Sequence, residues 1–432
     1  MEKYHGSRTA TADEASQLDL PEEIQLEIAG LAGKMREGLL ALSVGVGLKV
    51  MDELIEEELT RLCGPKGKHD PERSANRHGS RRSQVVLGGR KVSARRPRAR
   101  TAQGEEAKLS TWELFSSEDL LSERTVAVML AGLSTRRYAD GLEPTGTDDE
   151  RSTSRSSVSR RFVRRTRQAL GELMSRPVPD DLVVLMLDGV TLADHTCVVA
   201  LGITADGTKV PLGVWEGATE NKAVCARALA DLDDRGLSAD DGLLVVIDGS
   251  KALRAAVRDA FGERAAVQRC RIHKQRNVLG HLPEAERPWV RRKLCEAWAL
   301  ADTAAAERRL KELARALEAK RPGAAASLRE GLAETLTITR LGFSVDSALG
   351  RTLRSTNPIE SALSVSTERS RNVKRWRGGE MVLRWTAAGL LDAQRSFRRV
   401  RGYRELPKLR AALRRQVQRI DREEVRDFPI AA

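Results

Sequence analysis

Two aspartates follow long apolar runs in this sequence. Asp188 comes directly after Leu182–Leu187, and Asp248 comes directly after Leu243–Ile247, each with a glycine next in the chain. Buried strands of an open α/β sheet place polar residues at their carboxyl ends, which is where such sheets build their sites. Two carboxylates on neighbouring strand ends repel each other unless a cation lies between them, and Mg²⁺ prefers such oxygen ligands. The pattern therefore predicts a divalent-metal site that contains Asp188 and Asp248.

The same two aspartates also have a simpler interpretation. Asp-Gly is a common turn sequence, and Asp248 or Ser250 could simply cap a helix that begins at Lys251. Either aspartate alone fits that interpretation, whereas two matched occurrences favour a site.

A third acid, Glu360, lies in the segment Asn357-Pro358-Ile359-Glu360. This segment reads as a capping box, with Asn357 as the N-cap, proline at the first helical position and glutamate at the third. A glutamate in the first turn of a helix can also point across at a sheet. Both a capping role and a catalytic role therefore stay open for Glu360.

Cys270 and His273 form a Cys-x-x-His pair. A structural zinc site would need two more ligands, and the other cysteines and histidines show no matching spacing, so structural zinc is not expected. His195 and Cys197 occupy alternating positions of a predicted strand and are expected to pack rather than to bind a metal.

The elements that would position these residues alternate between strand and helix patterns. Between residues 182 and 270 the order is strand, hairpin, helix, strand, helix and strand, which predicts an α/β layer with a mixed sheet. From residue 273 to about residue 350 there is no strand pattern, and the composition predicts a helical insertion. The insertion ends just before Glu360.

Two basic segments precede this region. Residues 61–100 contain thirteen Lys+Arg and two acids, and they flank Gly88-Gly89-Arg90 with short apolar runs, which predicts a basic β-hairpin. Residues 151–167 contain seven arginines and no acid after a serine-rich start, which suits the second helix of a helix-turn-helix-like unit over residues 117–175. The alternatives are a solvated loop and an ordinary surface helix with one basic face.

The whole chain of 432 residues is strongly basic, with a formal net charge of +13 and a pI near 9.8. This balance favours a polyanionic partner. No apolar run approaches the roughly 20 residues that span a bilayer, and the polar start lacks the apolar core of a signal peptide. Five cysteines fit reduced thiols in the cytosol better than a disulfide scaffold.

These motifs occur in a defined order along the chain. They are Asn76-Arg77-His78-Gly79-Ser80-Arg81-Arg82, Pro97-Arg98-Ala99-Arg100, Asp188-Gly189, Gly213-Val214-Trp215-Glu216-Gly217 with Thr219-Glu220-Asn221, Asp248-Gly249-Ser250, Gln268-Arg269-Cys270-Arg271-Ile272-His273-Lys274-Gln275-Arg276-Asn277-Val278 and Thr356-Asn357-Pro358-Ile359-Glu360. Together they resemble the bacterial Mutator-type insertion-sequence transposases, of the DDE class with a ribonuclease H-like catalytic domain, over about residues 40–405. The chain departs from the family at Val190–His195, where many members carry aromatic and basic residues. This departure affects the substrate contacts expected of that strand and leaves the metal site intact.

The resemblance implies a fold, a chemistry and partners. The fold is a mixed-sheet α/β catalytic domain of ribonuclease H type with an all-helical insertion, preceded by helical and β-hairpin DNA-binding modules. Asp188, Asp248 and Glu360 would hold two Mg²⁺ ions, for which Mn²⁺ would substitute, and catalyse DNA strand cleavage and strand transfer. The expected supporting residues are Cys270, His273, Arg276, Asn277 and Asn357.

The expected partner is DNA, as terminal inverted repeats, flanking DNA and target DNA, bound by a homodimer or a larger assembly. No membrane contact is expected, and the expected location is the cytoplasm, in association with the nucleoid. The residues expected to contact DNA are Arg77, Arg81, Arg82, Arg90, Lys91, Arg95, Arg96, Arg98, Arg155, Arg160, Arg161, Arg164, Arg165, Arg369, Arg371, Lys374, Arg375 and Arg377.

The predicted division of the chain has six parts. They are an N-terminal helical segment (1–60), a basic β-hairpin module (61–105), a helix-turn-helix-like domain (106–178), the first part of the catalytic core (179–275), the helical insertion (276–350) and the glutamate-bearing helix with a basic helical tail (351–432).

Two other functions stay open. A non-catalytic DNA-binding protein, such as a domesticated transposase, would keep the basic modules without the chemistry. A phosphohydrolase with an aspartyl nucleophile could also use a strand that ends in Leu-Asp-Gly. That chemistry usually has a second aspartate two residues on, where this chain has Val190.

Overall fold

The computed structural model describes residues 45–87, 89–142, 153–192, 194–217, 222–344 and 346–427. The chain divides into two compact units, Met1–Phe162 and Val163–Ala432. The part of the predicted N-terminal helical segment before residue 45, and residues 143–152 of the predicted helix-turn-helix-like unit, lie outside the described residues. The finer predicted boundaries at 60, 105, 178, 275 and 350 stay predictions.

The first unit is built on a helix and a long hairpin. Its elements are α1 (45–63), β1 (Ala75–Leu87), β2 (Arg90–Thr101), α2 (Ser110–Ser116) and α3 (Glu118–Leu130), followed by the first part of α4 (Arg155–Ser175). Met51, Ile55 and Leu59 recur every four residues, so they share one face of α1 and are buried there. This face packs in one core with Val85 of β1 and Trp112 of α2.

The basic hairpin is present and longer than the residues around Gly88-Gly89-Arg90 alone predict. The two strands pair antiparallel from Ala75 with Thr101 to Leu87 with Arg90, with an irregularity between Arg77 and Ser80. Buried Val85 lies opposite buried Val92, which anchors one face of the hairpin to the core.

The apolar helical pattern that begins at residue 117 continues to residue 142, but the helix is shorter in the structure. α3 ends at Leu130, and the next residues form a tight turn in which Gly132 N–H donates to Met129 O and Leu133 N–H donates to Val128 O. Gly132 has a φ of 102°, in the left-handed region that suits glycine at a helix end. The apolar pattern continues past Gly132, but the backbone turns there.

The second unit contains a five-stranded mixed sheet. Its strands and the helices between them are β3 (Leu182–Leu192), β4 (His195–Thr204), β5 (Lys209–Gly217), α5 (Lys222–Asp234), β6 (Leu243–Ile247), α6 (Lys251–Phe261) and β7 (Ala265–Arg269). The strand order is β5-β4-β3-β6-β7. β3, β4 and β5 pair antiparallel, whereas β6 pairs parallel with β3 and β7 pairs parallel with β6. The predicted mixed α/β class is confirmed.

After the last strand, the regular secondary structure of the described residues is all helical. The α-helices are α7 (Arg271–Gly280), α8 (Arg287–Ala299), α9 (Thr303–Glu318), α10 (Pro322–Arg329), α11 (Thr337–Arg340), α12 (Ala348–Leu353), α13 (Asn357–Arg369), α14 (Gly379–Gln394) and α15 (Leu406–Asp427). The helices from α7 to α10 bury Leu294, Leu310 and Leu328 in a core of their own. The predicted helical stretch after His273 is therefore present, with its own apolar centre.

The sheet has a different helical cover on each face. One face packs Val184 and Met186 of β3 against Ile359 of α13 and Leu390 of α14. The other face packs Leu185 and Leu187 in a core that includes residues of α5 and α6, such as Leu229 and Val257. Because side chains alternate along a strand, Val184 and Met186 of β3 face one cover, and Leu185 and Leu187 face the other.

The first strand of the sheet is longer than predicted. The apolar run suggests an end at Leu187, whereas β3 continues to Leu192. The extension is held by antiparallel pairing with β4 as far as Leu192 opposite His195, while parallel pairing with β6 stops at Leu187. No described helix is long and apolar enough to cross a membrane.

Candidate active site

Three candidate site residues lie side by side because of strand register. Leu187 pairs with Ile247 across β3 and β6, and Ile247 pairs with Arg269 across β6 and β7. The next residues of the three parallel strands are Asp188, Asp248 and Cys270. They therefore lie level with one another at one edge of the sheet, and Cys270 N–H extends the ladder by donating to Ile247 O at 2.8 Å.

The three side chains also share one face of the sheet. By strand alternation, Asp188 lies on the same face as Val184 and Met186. Asp248 continues the alternation of Leu244 and Val246, and Cys270 continues that of Ala266. These five apolar residues all lie in the core that contains Ile359 of α13. α13 also packs directly against β3. Glu360 follows Ile359, so the helix that covers this face carries the third acid.

Each of the two aspartates accepts a hydrogen bond from the backbone that follows it. Asp188 Oδ1 accepts a hydrogen bond from Gly189 N–H at 2.9 Å, and Asp248 Oδ1 accepts one from Ser250 N–H at 2.8 Å. Ser250 caps α6 by accepting from Leu253 N–H at 3.2 Å. The capping interpretation is therefore correct for Ser250. It does not displace the site interpretation, because each aspartate keeps a second carboxylate oxygen.

Glu360 is positioned by the first turn of α13, though not in the predicted manner. The N-cap is Thr356 and not Asn357, which is exposed as the first helical residue. Glu360 N–H donates to Thr356 O at 2.9 Å, and Thr356 Oγ1 donates to Glu360 Oε1 at 2.5 Å. The predicted capping box is wrong by one residue, and the Glu360 carboxylate is hydrogen-bonded by a hydroxyl instead of closing a box on Asn357.

Cys270 and His273 lie beside Glu360. His273 Nδ1 lies 3.7 Å from Glu360 Oε1 and 3.3 Å from Thr356 Oγ1. Donor atoms of Cys270, His273 and Glu360 all lie within 4.8 Å of one another. The three acids do not reach that mutual spacing in the part of the chain that the structure describes. Thr356 is the residue that sequence reasoning missed here, although it directly precedes the Asn-Pro helix start.

The electrostatics of the site follow from burial and like charge. Burial, then the charges of Asp248 and Glu360, raise the pKa of Asp188 to about 7, against the opposing effects of Gly189 N–H and His273. A hydrogen bond with Cys270 and the nearby carboxylates raise the pKa of His273. Burial alone would raise the pKa of the Cys270 thiol, but hydrogen bonds from His273 and Thr356 outweigh it and lower that pKa.

This donor set fits a hard divalent cation. Asp188, Asp248 and Glu360 supply carboxylate oxygens, the ligands that Mg²⁺ and Mn²⁺ prefer. Asp188 is only 7% exposed and carries a charge that its neighbours oppose, so a cation would relieve a cost that the protein otherwise bears.

α7 presents opposite faces to the site and to the helical insertion. His273 is half-buried, and Arg276 and Asn277 are exposed one turn further along the same face. On the other side, buried Lys274 donates to Ser327 O at 2.7 Å and lies 3.3 Å from Glu330 Oε2. The predicted supporting residues of α7 therefore lie on its site-facing side.

Some arginines of the basic hairpin are exposed, and others form ion pairs with glutamates. Arg81, Arg82 and Arg95 are exposed. Arg77 pairs with Glu56, and Arg98 pairs with Glu106 at 2.7 Å. The remaining predicted contact residues of the hairpin, which are half-buried, are Arg90, Lys91 and Arg96.

The arginines of α4 divide in the same way. Arg155, Arg160 and Arg164 are exposed, whereas Arg161 is buried and its Nε donates to Thr125 Oγ1 at 3.4 Å. The remaining predicted residue, Arg165, is half-buried and lies 3.5 Å from Glu172.

A basic loop joins α13 to α14 in the second unit. Lys374, Arg375 and Arg377 are exposed there. At its start, Arg369 pairs with Asp392 at 2.9 Å and Arg371 pairs with Glu368 at 2.8 Å. This loop follows directly on the helix that carries Glu360.

Comparison with known proteins identifies the family. A family model described as Transposase, Mutator family matches residues 34–399. This chain belongs to the Mutator family of transposases. The matched stretch of this family member contains the three acids, Cys270 and His273, and the resemblance inferred from the motifs is confirmed.

Several relatives of this Mutator-family chain are transposases of insertion sequences. The chain is 35% identical over 176 residues to the transposase for insertion sequence element IST2 of Acidithiobacillus ferrooxidans, covering 41% of this chain and 57% of that protein. It is 31% identical over 200 residues to the transposase for IS6120 of Mycolicibacterium smegmatis, covering 45% and 60%. An alignment at 25% identity to the transposase for IS1081 of Mycobacterium tuberculosis covers 92% and 94%. The chain thus spans little more than half the length of the first two relatives.

Proposed function

We propose that this chain is an insertion-sequence transposase that performs Mg²⁺-dependent DNA strand cleavage and strand transfer at terminal inverted repeats. One observation carries the proposal, in a chain that belongs to the Mutator family. Strand register places Asp188, Asp248 and Cys270 side by side at one edge of the sheet, and the helix that carries Glu360 covers the same face. The mixed sheet, with three antiparallel strands followed by two parallel ones, supports a ribonuclease H-like catalytic domain.

Each acid reaches the site from a different element. Asp188 lies within β3, Asp248 follows β6, and Glu360 lies in the first turn of α13. Together they would hold two Mg²⁺ ions, or Mn²⁺ as a substitute. When bound, such a pair of ions activates a water or a DNA 3′-hydroxyl and stabilises the leaving oxygen of an in-line displacement at phosphorus.

The neighbouring residues would orient the third acid. Thr356 Oγ1 donates to Glu360 and lies within hydrogen-bond distance of His273 Nδ1. Cys270, fixed by its backbone to β6, interacts in turn with His273. These contacts set the direction of the Glu360 carboxylate, so we assign Cys270, His273 and Thr356 as positioning residues.

The basic surfaces of both units suit a DNA backbone. Exposed arginines on the hairpin and on α4 would bind the terminal inverted repeats, and the loop at 371–378 would contact flanking or target DNA beside the catalytic helix. A homodimer or a larger assembly on DNA, and association with the nucleoid, complete the proposal.

A cleavage assay on plasmid DNA that carries the ends of the encoding element tests this function. We expect nicking at those ends with Mg²⁺ or Mn²⁺, and a loss of at least about a thousandfold in Asp188→Ala, Asp248→Ala and Glu360→Ala with DNA affinity retained. Asp234→Ala is the matched control, because Asp234 is exposed at the end of α5, which covers the other face of the sheet.

Each outcome distinguishes between functions. Nicking in the absence of any divalent ion, or full activity in one of the three variants, rejects the mechanism. DNA binding with no cleavage by the unaltered chain indicates a non-catalytic DNA-binding protein. Hydrolysis of small phosphate esters without DNA nicking indicates the aspartyl phosphohydrolase.

A further inference from the structure

Three chemically different donors converge next to the carboxylates. Cys270 follows β7, His273 lies in the first turn of α7, and Glu360 lies in the first turn of α13. Their donor atoms lie within 4.8 Å of one another, although Glu360 is far along the chain from the other two. A sulfur, an imidazole nitrogen and a carboxylate oxygen are the three ligand types that bind Zn²⁺ in proteins.

We propose that Cys270, His273 and Glu360 form a binding site for Zn²⁺, and that Zn²⁺ inhibits the chain by removing Glu360 from the acidic set. Binding itself is independent of the proposed function. Only the inhibition rests on it, because inhibition requires that Glu360 act together with Asp188 and Asp248.

The spacing of the donors is close to that of a zinc site. With zinc–ligand distances of about 2.0–2.3 Å, two ligands of a tetrahedral site lie roughly 3.5 Å apart. His273 Nδ1 and Glu360 Oε1 are already 3.7 Å apart. A maximum separation of 4.8 Å for the whole group leaves a movement on the order of 1 Å, which side-chain rotation supplies.

The site has a fixed side and an open side. The Cys270 side chain is fully buried and its amide is bonded to Ile247 O, so the sulfur has little freedom. The side chains of His273 and Glu360 are 23% and 39% exposed. An ion can therefore enter from the exposed side and complete its coordination with water, as three-ligand zinc sites do.

The chemistry of the donors selects Zn²⁺ over Mg²⁺ at this position. Thiolate and imidazole ligands suit Zn²⁺, whereas Mg²⁺ is bound through carboxylates and water. The two cations would therefore use different partners of Glu360. Mg²⁺ would draw the carboxylate toward Asp188 and Asp248, and Zn²⁺ would draw it toward Cys270 and His273.

Cobalt titration of the full chain, stripped of metal, tests the site directly. Co²⁺ replaces Zn²⁺ and gives a sulfur-to-metal charge-transfer absorption in the near ultraviolet when a thiolate is a ligand. We expect one equivalent of Co²⁺ to produce this band and Zn²⁺ to displace it. Cys270→Ser should abolish the band and weaken Zn²⁺ binding by at least about 100-fold, because even outer-shell changes cost 10- to 100-fold.

Two further variants serve as controls. Cys295→Ser should keep the band, because Cys295 is the exposed cysteine and lies outside the site. Asp188→Asn should keep the band, because Asp188 is not one of the three donors. A band that survives Cys270→Ser, or that disappears in Cys295→Ser, overturns the assignment.

Inhibition is measured separately, by nicking at fixed Mg²⁺ with increasing Zn²⁺. We expect progressive loss of cleavage, reversed by a zinc-selective chelator. Cleavage that is unaffected at Zn²⁺ concentrations that fully displace the cobalt band overturns the inhibition. A cobalt band in a chain that never cleaves DNA instead rejects the proposed function and retains the metal site. Cleavage without any band rejects the site and retains the function.

Discussion

At the residue scale, burial and the neighbouring carboxylates make the charged form of Asp188 unfavourable. The pKa of Asp188 is raised to about 7 by burial and by Asp248 and Glu360, from an ordinary value near 3.8. Between these two values the folded chain holds a proton that the unfolded chain does not. The free energy of unfolding of the metal-free protein therefore falls, through this group, as the pH rises from about 4 to 7.

Asp188→Asn should remove this pH dependence. We expect the variant to be more stable than the unaltered chain in the presence of chelator at pH 8, by up to about 4 kcal/mol, because the pKa of Asp188 is raised by roughly three units and each unit corresponds to about 1.4 kcal/mol. At pH 4 the difference should be small. Thermal unfolding at both pH values measures the effect, with exposed Asp234→Asn as the surface control. Equal stabilities of the Asp188 variant and its parent at pH 8 would contradict the raised pKa.

The individual site residues differed in how far their sequence context revealed them. Asp188 and Asp248 were recognisable because each follows a buried apolar run, Leu182–Leu187 or Leu243–Ile247. Glu360 was ambiguous because a first-turn glutamate is common at helix starts. Thr356 escaped notice because its contacts with His273 and Glu360 depend on how α7 and α13 meet, which no local pattern encodes.

At the element scale, the helical insertion encloses a cation that lies next to the site. Arg271 is 4% exposed, and its guanidinium donates to Thr335 O at 2.8 Å, Trp298 O at 3.1 Å and Thr339 Oγ1 at 2.8 Å. These partners are neutral oxygens. Burial, together with Arg354, lowers the pKa of Arg271 to about 10. The start of α7 is thereby tied to three segments that follow it in the chain.

Arg271→Ala should be strongly destabilising. It leaves Thr335 O and Trp298 O without these donors and opens a space beside Cys270, so we expect a loss of about 3 kcal/mol in the free energy of unfolding. Arg276→Ala, on the exposed side of the same helix, should stay within about 0.5 kcal/mol. Urea unfolding followed by tryptophan fluorescence compares the two. A loss below about 1 kcal/mol for the Arg271 variant would show that the three hydrogen bonds contribute little.

The elements themselves were mostly predictable, and their ends were not. Alternation and length identified the mixed sheet and the helical stretch after His273. The end of β3 was placed at Leu187 because the apolar run stops there, whereas pairing with β4 extends the strand to Leu192. α3 ends at Leu130, before its apolar pattern does, because the backbone turns at Gly132. The burial of Arg271 and Lys274 was invisible because their partners lie in the distant insertion.

At the scale of the whole molecule, the excess of positive charge predicts how DNA affinity responds to salt. The net charge is +13, and exposed arginines occur on the hairpin, on α4 and in the loop at 371–378. Each phosphate contact releases condensed counterions when it forms. Affinity should therefore decrease steeply as the salt concentration rises.

The arginines of the hairpin should account for part of this salt dependence. With six to ten phosphate contacts, affinity for the element's ends should fall by about 10³ or more between 50 and 200 mM salt. Arg81→Gln with Arg82→Gln should reduce the slope of log affinity against log salt by about 1.8, at roughly 0.9 per contact. Arg258→Gln, an exposed arginine of α6, is the control. Fluorescence anisotropy measures the slope for each protein. If the double variant and the unaltered chain have equal slopes, the hairpin does not contact the DNA backbone.

Because Glu360 lies late in the chain, it is synthesised well after the first unit. The first unit is complete at residue 162, and its core needs nothing made later. At bacterial translation rates of about 5–20 residues per second, the glutamate follows roughly 10–40 seconds afterwards. During that interval the DNA contacts that we propose for the first unit would be in place before the catalytic helix is made.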